Sequence, residues 1–336
     1  MSTVSTDRGR RGRSLIPLLV IPVLAAIAVS AFPWASASPE PHDVPIGIAG
    51  PDAAIQSVQD RLAEHEGAYD LHVYDSAGEA RQAVEDREVY GALVHESSGA
   101  QLLTASAASP AVAQMLTSTF ASPDASGTAP AVADVVPADA DDPRGTALGS
   151  MVLPLVLVSV VTAVIVLLIA RSAWQQIALI AAAAVLGSLT AIAIAQVGFG
   201  IVPGSWVLNS IPPALTVAAL AGAIVGGVSA FGRVGFVAIA PLMLFLGNPW
   251  SGASSAPQLL PEPAGFIGQL LPPGAGASAL RSIAFFDGAG AGTPLVVLGL
   301  WIALGLAGIV VGAFRHRDTA HELSEATRPV MAAMDR

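Results

Sequence analysis

The run ALGSMVLPLVLVSVVTAVIVLLIA, residues 147–170, contains 24 residues and no ionisable side chain. A helix of about 20 apolar residues spans the hydrocarbon core of a bilayer. Four further apolar runs follow this one, and an apolar anchor precedes it: the runs cover 177–199, 211–231, 234–247 and 294–314, and the anchor covers 14–34. The sequence therefore predicts a polytopic α-helical membrane protein with six transmembrane helices.

The composition agrees with that class and excludes several kinds of chemistry. Hydrophobic residues make up 53% of the chain and charged residues 12%, which is the balance of a membrane protein. The chain has no cysteine and no lysine, because all fifteen basic residues are arginine. Disulfides and thiol catalysis are therefore excluded, and so is a phosphate-binding loop of the G-x-x-x-x-G-K-[ST] type, which needs its lysine.

Arginine positions predict how the helices are oriented. Cytoplasmic loops of membrane proteins are enriched in arginine and lysine. With six crossings and a cytoplasmic N-terminus, the arginines at 8–13, 171, 233 and 315–317 all fall on the cytoplasmic side. We expect a multi-pass protein of a bacterial plasma membrane, with cytoplasmic tails at 1–13 and 315–336 and with residues 37–146 outside. The alternative for the anchor is a cleaved signal peptide, since ASA at 35–37 resembles a cleavage site.

Residues 37–121 read as a small extracytoplasmic α/β domain between the first two transmembrane helices. Short apolar strands alternate with helices, for which Asp52 and Ser76 are the expected N-caps. Residues 37–146 carry eighteen acids and four arginines, a formal charge of −14, which argues against nucleic acid as a partner. The histidines lack metal-ligand spacing, so we predict no catalytic residue, metal or cofactor. Residues 122–146 read as a linker.

The five-helix membrane domain, 147–314, offers small residues in place of charged ones. It has no acidic, lysine or histidine side chain within its apolar runs that could couple transport to protons or sodium. Gly222 with Gly226 and Gly308 with Gly312 have the small-xxx-small spacing that lets helix backbones approach closely. This spacing predicts tight helix packing, either within the bundle or between two chains.

We call residues 248–292 the broken segment, because two short helical pieces at 262–271 and 275–286 are interrupted by prolines. Irregular backbone at membrane depth must be buried in protein or line a wet cavity. Arg281 could reach lipid headgroups or bind an anionic ligand; the alternative is an interfacial anchor without a ligand. The residues expected to shape a substrate path or outer vestibule are Asn248, Pro249, Ser251, Gly252, Pro272, Gly274 and Arg281.

This layout resembles the phage infection protein (YhgE/Pip-like) branch of the type-2 ABC exporter permeases. The similarity lies in one helix, an ectodomain and five further helices, and in the Asn-Pro and Ser-Gly pairs at 248–252 and the ALR…FFDG ending at 279–288. It implies a permease fold, a homodimer or a pair with a related permease subunit, and a separate ATPase. The short N-terminal tail and the short loop at 171–176 depart from the family's usual coupling surface.

The leading functional prediction is a non-enzymatic permease subunit that moves an amphipathic or envelope-related molecule outward through the bilayer. The alternative is a non-transporting envelope scaffold or receptor whose ectodomain binds an extracellular partner. An intramembrane or cell-surface enzyme is disfavoured, because no constellation of catalytic side chains supports it.

Overall fold

The computed structural model describes residues 22–35, 40–97, 99–120 and 129–334, with side chains described as far as Arg315. The N-terminal tail at 1–13, the first part of the anchor and residues 122–128 of the expected linker lie outside the described residues. Within the described ranges the chain forms one small sheet with its helices, followed by a bundle of long apolar helices.

The α/β domain is built on a five-stranded sheet in the order β2-β1-β3-β4-β5. β1 pairs in parallel with β2 and β3, β3 and β4 form an antiparallel hairpin, and β5 runs parallel to β4. The strands are β1 (Val44–Ala49), β2 (Tyr69–Val73), β3 (Gly91–Glu96), β4 (Gly99–Thr104) and β5 (Ala131–Asp134). The helices, numbered after α1 (Pro22–Ala35), are α2 (Asp52–Ala63), α3 (Ala77–Glu85) and α4 (Pro110–Phe120).

The structure agrees with one local prediction in this domain, the N-cap of α3, and differs from two, the N-cap of α2 and the linker. Ser76 caps α3 as expected, because its hydroxyl accepts the backbone N–H of Glu79 at 3.2 Å. Asp52 is not the N-cap of α2: Pro51 occupies that position and Asp52 is the first helical residue. The segment expected to be a linker contains β5, whose register against β4 pairs Thr104 with Asp134. A proline can begin a helix but cannot cap it with a side chain, so the capping bond expected at this end of α2 is not made.

In the part of the chain that the structure describes, four helices are long and apolar enough to cross a membrane: Thr146–Ile169, Ala173–Gly198, Trp206–Phe231 and Gly292–Arg315. The first joins α5 (Thr146–Ser150) to α6 (Val152–Ile169), and the next two contain α7 (Ala173–Ile192) and α8 (Trp206–Phe231). The fourth is the first part of α12 (Gly292–Met334). These helices indicate a membrane-embedded protein. The other two predicted crossings are represented by shorter apolar helices, Pro22–Ala35 and Arg233–Gly247, the latter beginning with α9 (Arg233–Pro241).

α8 is the central helix of the bundle. Its most apolar stretch is 67% buried within the protein, whereas the corresponding stretches of the other three long helices are 22–28% buried. It packs against α6, α7, α9 and α12. The outer helices leave large side chains such as Leu168 and Leu304 exposed. An exposed apolar surface of this kind agrees with a bilayer around the bundle.

Glycines join α8 to α12 by close backbone contact. A Cβ added at Gly226 would stand 2.2 Å from the carbonyl oxygen of Gly305, and one at Gly308 would stand 2.6 Å from that of Gly226. Further along the same contact, a Cβ at Gly312 would meet the carbonyl oxygen of Ser229 at 2.5 Å. The structure therefore places these small residues between two helices of one chain. A Cβ at Gly222 would meet nothing within 4 Å.

The α/β domain shares its hydrophobic core with the broken segment. Side chains from the sheet and its helices enclose one buried cluster, and Ala256, Leu259 and Phe286 belong to the same cluster. A backbone bond of 2.9 Å from His42 N–H to the carbonyl oxygen of Gln258 adds to this connection. The domain is therefore packed onto the broken segment.

Candidate functional site

The broken segment folds as four short helical pieces. They are two 3₁₀ turns, Pro249–Ser251 and Pro257–Leu259, followed by α10 (Ala264–Gln269) and α11 (Pro272–Phe285). The two predicted helical pieces correspond to α10 and α11. The sequence Leu-Pro-Pro ends one piece and begins the next, because proline suits the first turn of a helix and cannot lie in its interior without losing a hydrogen bond.

Close packing at glycine holds these pieces together. A Cβ added at Gly268 would stand 1.6 Å from the carbonyl oxygen of Trp250, and one at Gly276 would stand 2.1 Å from the hydroxyl of Thr216 on α8. Gly252 has φ of +64°, a left-handed conformation that glycine adopts without strain. The broken segment is therefore a compact, closed cap on the side of α8.

Three of the seven residues predicted to form an outer vestibule take part in hydrogen bonds that involve a side chain within the segment: Asn248, Ser251 and Arg281. Gln269 donates from Nε2 to the carbonyl oxygen of Ser251 at 2.8 Å, and the hydroxyl of Ser251 donates to the carbonyl oxygen of Asn248 at 2.7 Å. Arg281 donates from Nη2 to the carbonyl oxygen of Ala253 at 2.8 Å. The bonds made by Gln269 and Arg281 connect separate parts of the segment.

The remaining predicted vestibule residues line the same packed interior. Pro272 and Gly274 are buried in the first turn of α11, and Pro249 is half-buried at the start of its turn. A Cβ at Gly274 would stand 2.2 Å from the carbonyl oxygen of Gly268. The structure therefore brings the seven predicted vestibule residues together in a closely packed region.

Arg281 is buried, with 4% of its surface exposed. Burial, together with the smaller effect of the nearby charge of Arg87, lowers the pKa of its guanidinium to about 10. It still carries its charge at neutral pH, and its Nε has no partner within the described residues. The side chain does not extend to the surface, so the prediction that it reaches out to lipid headgroups does not fit this geometry.

Arg87 is the functional candidate that sequence reasoning missed. It lies in the α/β domain between α3 and β3, and its Nη1 donates to the carbonyl oxygen of Ser278 at 2.9 Å and to the hydroxyl of Ser282, both on α11. Its guanidinium lies 5.7 Å from the ring centroid of Phe286, a cation–π arrangement. The sequence around Arg87 carries no motif, so its partners on α11 become visible only in the fold.

A large apolar opening lies between α6 and α7, and we call it the lateral cleft. Its volume is about 810 Å³. Part of its lining is exposed at the side of the bundle, including Leu186 at 66%. The lining consists of Asp141, Ala147, Ser150, Met151, Pro154, Leu155, Val158, Leu186, Gly187, Thr190, Ala191, Ile194, Ala195, Phe199 and Ile201. Asp141 supplies the only ionisable side chain of that lining.

The lateral cleft approaches the broken segment through two shared residues. Met151 and Leu155 line the cleft and also line a much smaller space that reaches Arg281. That space is about 20 Å³, which is about the room that one water molecule needs. The route from the cleft to the interior of the broken segment is therefore closed.

Comparisons of the chain with protein-family models, with curated proteins and with solved structures gave no match. The resemblance to exporter permeases consequently rests on the layout and on the residues of the broken segment.

Proposed function

We propose that this chain is a non-enzymatic permease subunit that takes an amphipathic molecule from the bilayer into the lateral cleft and passes it outward. The observation that carries the proposal is the cleft itself. Ligand pockets have volumes of about 300–1,000 Å³ and are lined mainly by apolar side chains, and the cleft has about 810 Å³ and an almost wholly apolar lining. Its opening lies on the flank of helices suited to cross a membrane.

The closed broken segment supports the direction of movement. A molecule in the cleft would lie beside α6 and α7. Met151 and Leu155 line both the cleft and the small space that reaches Arg281 in the packed segment. Release on the other side requires the segment to shift. We place the α/β domain outside a bacterial plasma membrane and both termini in the cytoplasm.

Energy and assembly belong to the proposal as well. The chain has no lysine and thus no phosphate-binding loop of the usual kind, so a separate ATPase subunit would supply the energy. The predicted cytoplasmic surface includes the short connection between α6 and α7, where Ser172 caps α7 by accepting from the N–H of Gln175 at 3.3 Å. A second permease chain, identical or related, would complete the transporter.

The test is to fill the cleft without disturbing the helix that forms it. A Cβ added at Gly187 would meet only Val158 Cγ1, at 3.9 Å, so Gly187→Phe places its ring in the cleft without a backbone clash. The matched control is Val185→Phe on the same helix, at a position that is 52% exposed and does not line the cleft.

The full chain would be reconstituted in nanodiscs with a phospholipid whose acyl chain carries a diazirine, and the sites of photolabelling would be mapped by mass spectrometry. We expect labelling concentrated on cleft residues, and a several-fold reduction there in Gly187→Phe but not in Val185→Phe. Labelling spread evenly over the exposed apolar surface, or equal in the two variants, would refute a binding role for the cleft.

A further inference from the structure

A second, polar cavity lies at the junction of the α/β domain with the broken segment, and we call it the junction cavity. Its volume is about 300 Å³. The side chains that matter for its chemistry are those of Arg87, Tyr90, Gln258, Gln269, Ser278 and Thr293. This site is separate from the lateral cleft, since no residue lines both.

The arginine at the junction cavity and the one beside it make no ion pair among the described residues. Arg87 lines the cavity, and Arg281 is near enough for its charge to oppose that of Arg87. Among the described residues no carboxylate oxygen lies within 4 Å of either guanidinium, since the one ion pair found joins His72 to Asp70. Glu88 also lines the cavity, but it makes no ion pair with Arg87. Asp142 attracts Arg281 from beyond ion-pair distance, whereas Arg87, which lines the cavity, has no carboxylate partner in the described part of the chain. An unpaired arginine in the cavity lining favours an anionic occupant.

Arg87 and Gln258 bring hydrogen-bond donors to the lining of the cavity. Arg87 uses Nη1 for its bonds to α11, and the described part of the chain provides no acceptor for its Nε and Nη2. Gln258 accepts the hydroxyl of Tyr90 on Oε1 at 2.8 Å, which turns its amide nitrogen, a donor, to the other side. A guanidinium fork with a neighbouring amide N–H matches the oxygens of a phosphate group.

The position of the cavity agrees with a ligand at the edge of the bilayer. Thr293 lies in the first turn of α12, the helix whose apolar part is long enough to span a membrane, and the N-terminus of a helix favours negative charge. Nearby, Trp250 of the broken segment packs edge-on against Trp34 at the end of α1, with ring centroids 5.8 Å apart. Tryptophan is enriched where a membrane protein meets the headgroup region.

We propose that the junction cavity is a binding site for a phosphate group, held by Arg87 and Gln258 between the α/β domain and the broken segment. The phosphate comes either from the headgroup of an anionic lipid or from a soluble phosphate compound. The α/β domain as a whole is acidic, so we expect recognition of a single bound group and no general attraction to an anionic surface. The proposal goes beyond the transport function and does not depend on it.

Two ligand series separate the sources of phosphate. The full chain in detergent would be titrated with inorganic phosphate, and the full chain in nanodiscs would be compared in phosphatidylglycerol and in phosphatidylcholine, with thermal unfolding as the readout. A stabilising shift with inorganic phosphate identifies a soluble ligand. A shift in phosphatidylglycerol alone identifies an anionic headgroup. No shift in either series overturns the proposal.

Two variants with controls locate the effect. Arg87→Gln should lower the ligand affinity obtained from the thermal shifts by at least about tenfold. Arg81→Gln, at an exposed arginine of α3, should leave that affinity unchanged. Because Arg87→Gln also removes bonds to α11, Thr293→Glu provides a second test: it adds a negative charge at the cavity and leaves Arg87 intact. Its control is Gln59→Glu, at an exposed position of α2. A shift that survives in both Arg87→Gln and Thr293→Glu would exclude this site.

Discussion

Replacing Gly226 by alanine should destabilise the bundle, whereas the same replacement at Gly222, one turn away on α8, should not. A Cβ at Gly226 would stand 2.2 Å from the carbonyl oxygen of Gly305. Real Cβ atoms essentially never lie closer than 3.0 Å to another heavy atom of this kind. The obstacle is backbone and cannot rotate away, so α8 and α12 must separate by about 0.8 Å. A Cβ at Gly222 meets nothing within 4 Å.

The magnitudes follow from this difference. Overpacking of a well-packed contact costs about 1–3 kcal/mol, and alanine gains up to about 1 kcal/mol over glycine inside a helix. Gly222→Ala should therefore leave the free energy of unfolding unchanged or raise it by up to about 1 kcal/mol. Gly226→Ala should lie about 1–3 kcal/mol below Gly222→Ala, because both variants share the gain in helix propensity and only one has the clash.

Equilibrium unfolding in mixed micelles, with an increasing fraction of sodium dodecyl sulfate and helicity followed by circular dichroism, measures the difference. Light scattering on the same samples reports the oligomeric state. Equal unfolding free energies for the two variants would refute the glycine contact between α8 and α12. A change in oligomeric state with unchanged unfolding would show that Gly226 packs between chains.

Three further predictions concern the ends of the bundle. Asp142→Ala should destabilise the fold by about 1–2 kcal/mol in the same assay, because the buried carboxylate accepts the N–H of Leu148 at 2.9 Å; Asp141→Ala is the exposed control, and equal stability of the two would contradict this role. The contact of Trp34 with the broken segment predicts that α1 is retained, so the intact mass of protein from membranes should include it. Arg281→Ala should lower the outward movement of a fluorescent phospholipid across vesicles made from expressing cells, with membrane insertion unchanged in a fractionation control; unaltered movement would remove Arg281 from the transport route.

The parts of the fold that sequence predicted are those set by local chemistry. Runs of about 20 apolar residues fit the hydrocarbon core as helices, in which the backbone polar groups are bonded within the segment, so the four long apolar helices were predictable. The break between α10 and α11 at Pro272 was predictable because proline constrains the backbone wherever it occurs. Ser76 was predictable as the N-cap of α3 because its hydrogen bond reaches only three residues along the chain.

The parts that sequence did not predict depend on distant partners. β5 is an Ala-Val-Ala-Asp strand in an alanine-rich stretch, and it exists because the edge of β4 is available to pair with it. Arg87 resembles any surface arginine until the α/β domain packs on α11, where Ser278 and Ser282 accept its donors. The lateral cleft also requires two helices to be placed side by side. The candidate site was thus predictable only in the broken segment.

The shared core constrains how the closed broken segment can open. Separating the α/β domain from this segment would expose Leu259 and Phe286, which are buried against it, at a cost of about 1.5–3 kcal/mol for each side chain. It would also break the bonds from Arg87 to α11. A shift in which domain and segment move as one body keeps all of these contacts. In such a shift, a ligand bound at Arg87 would be carried along with the moving body.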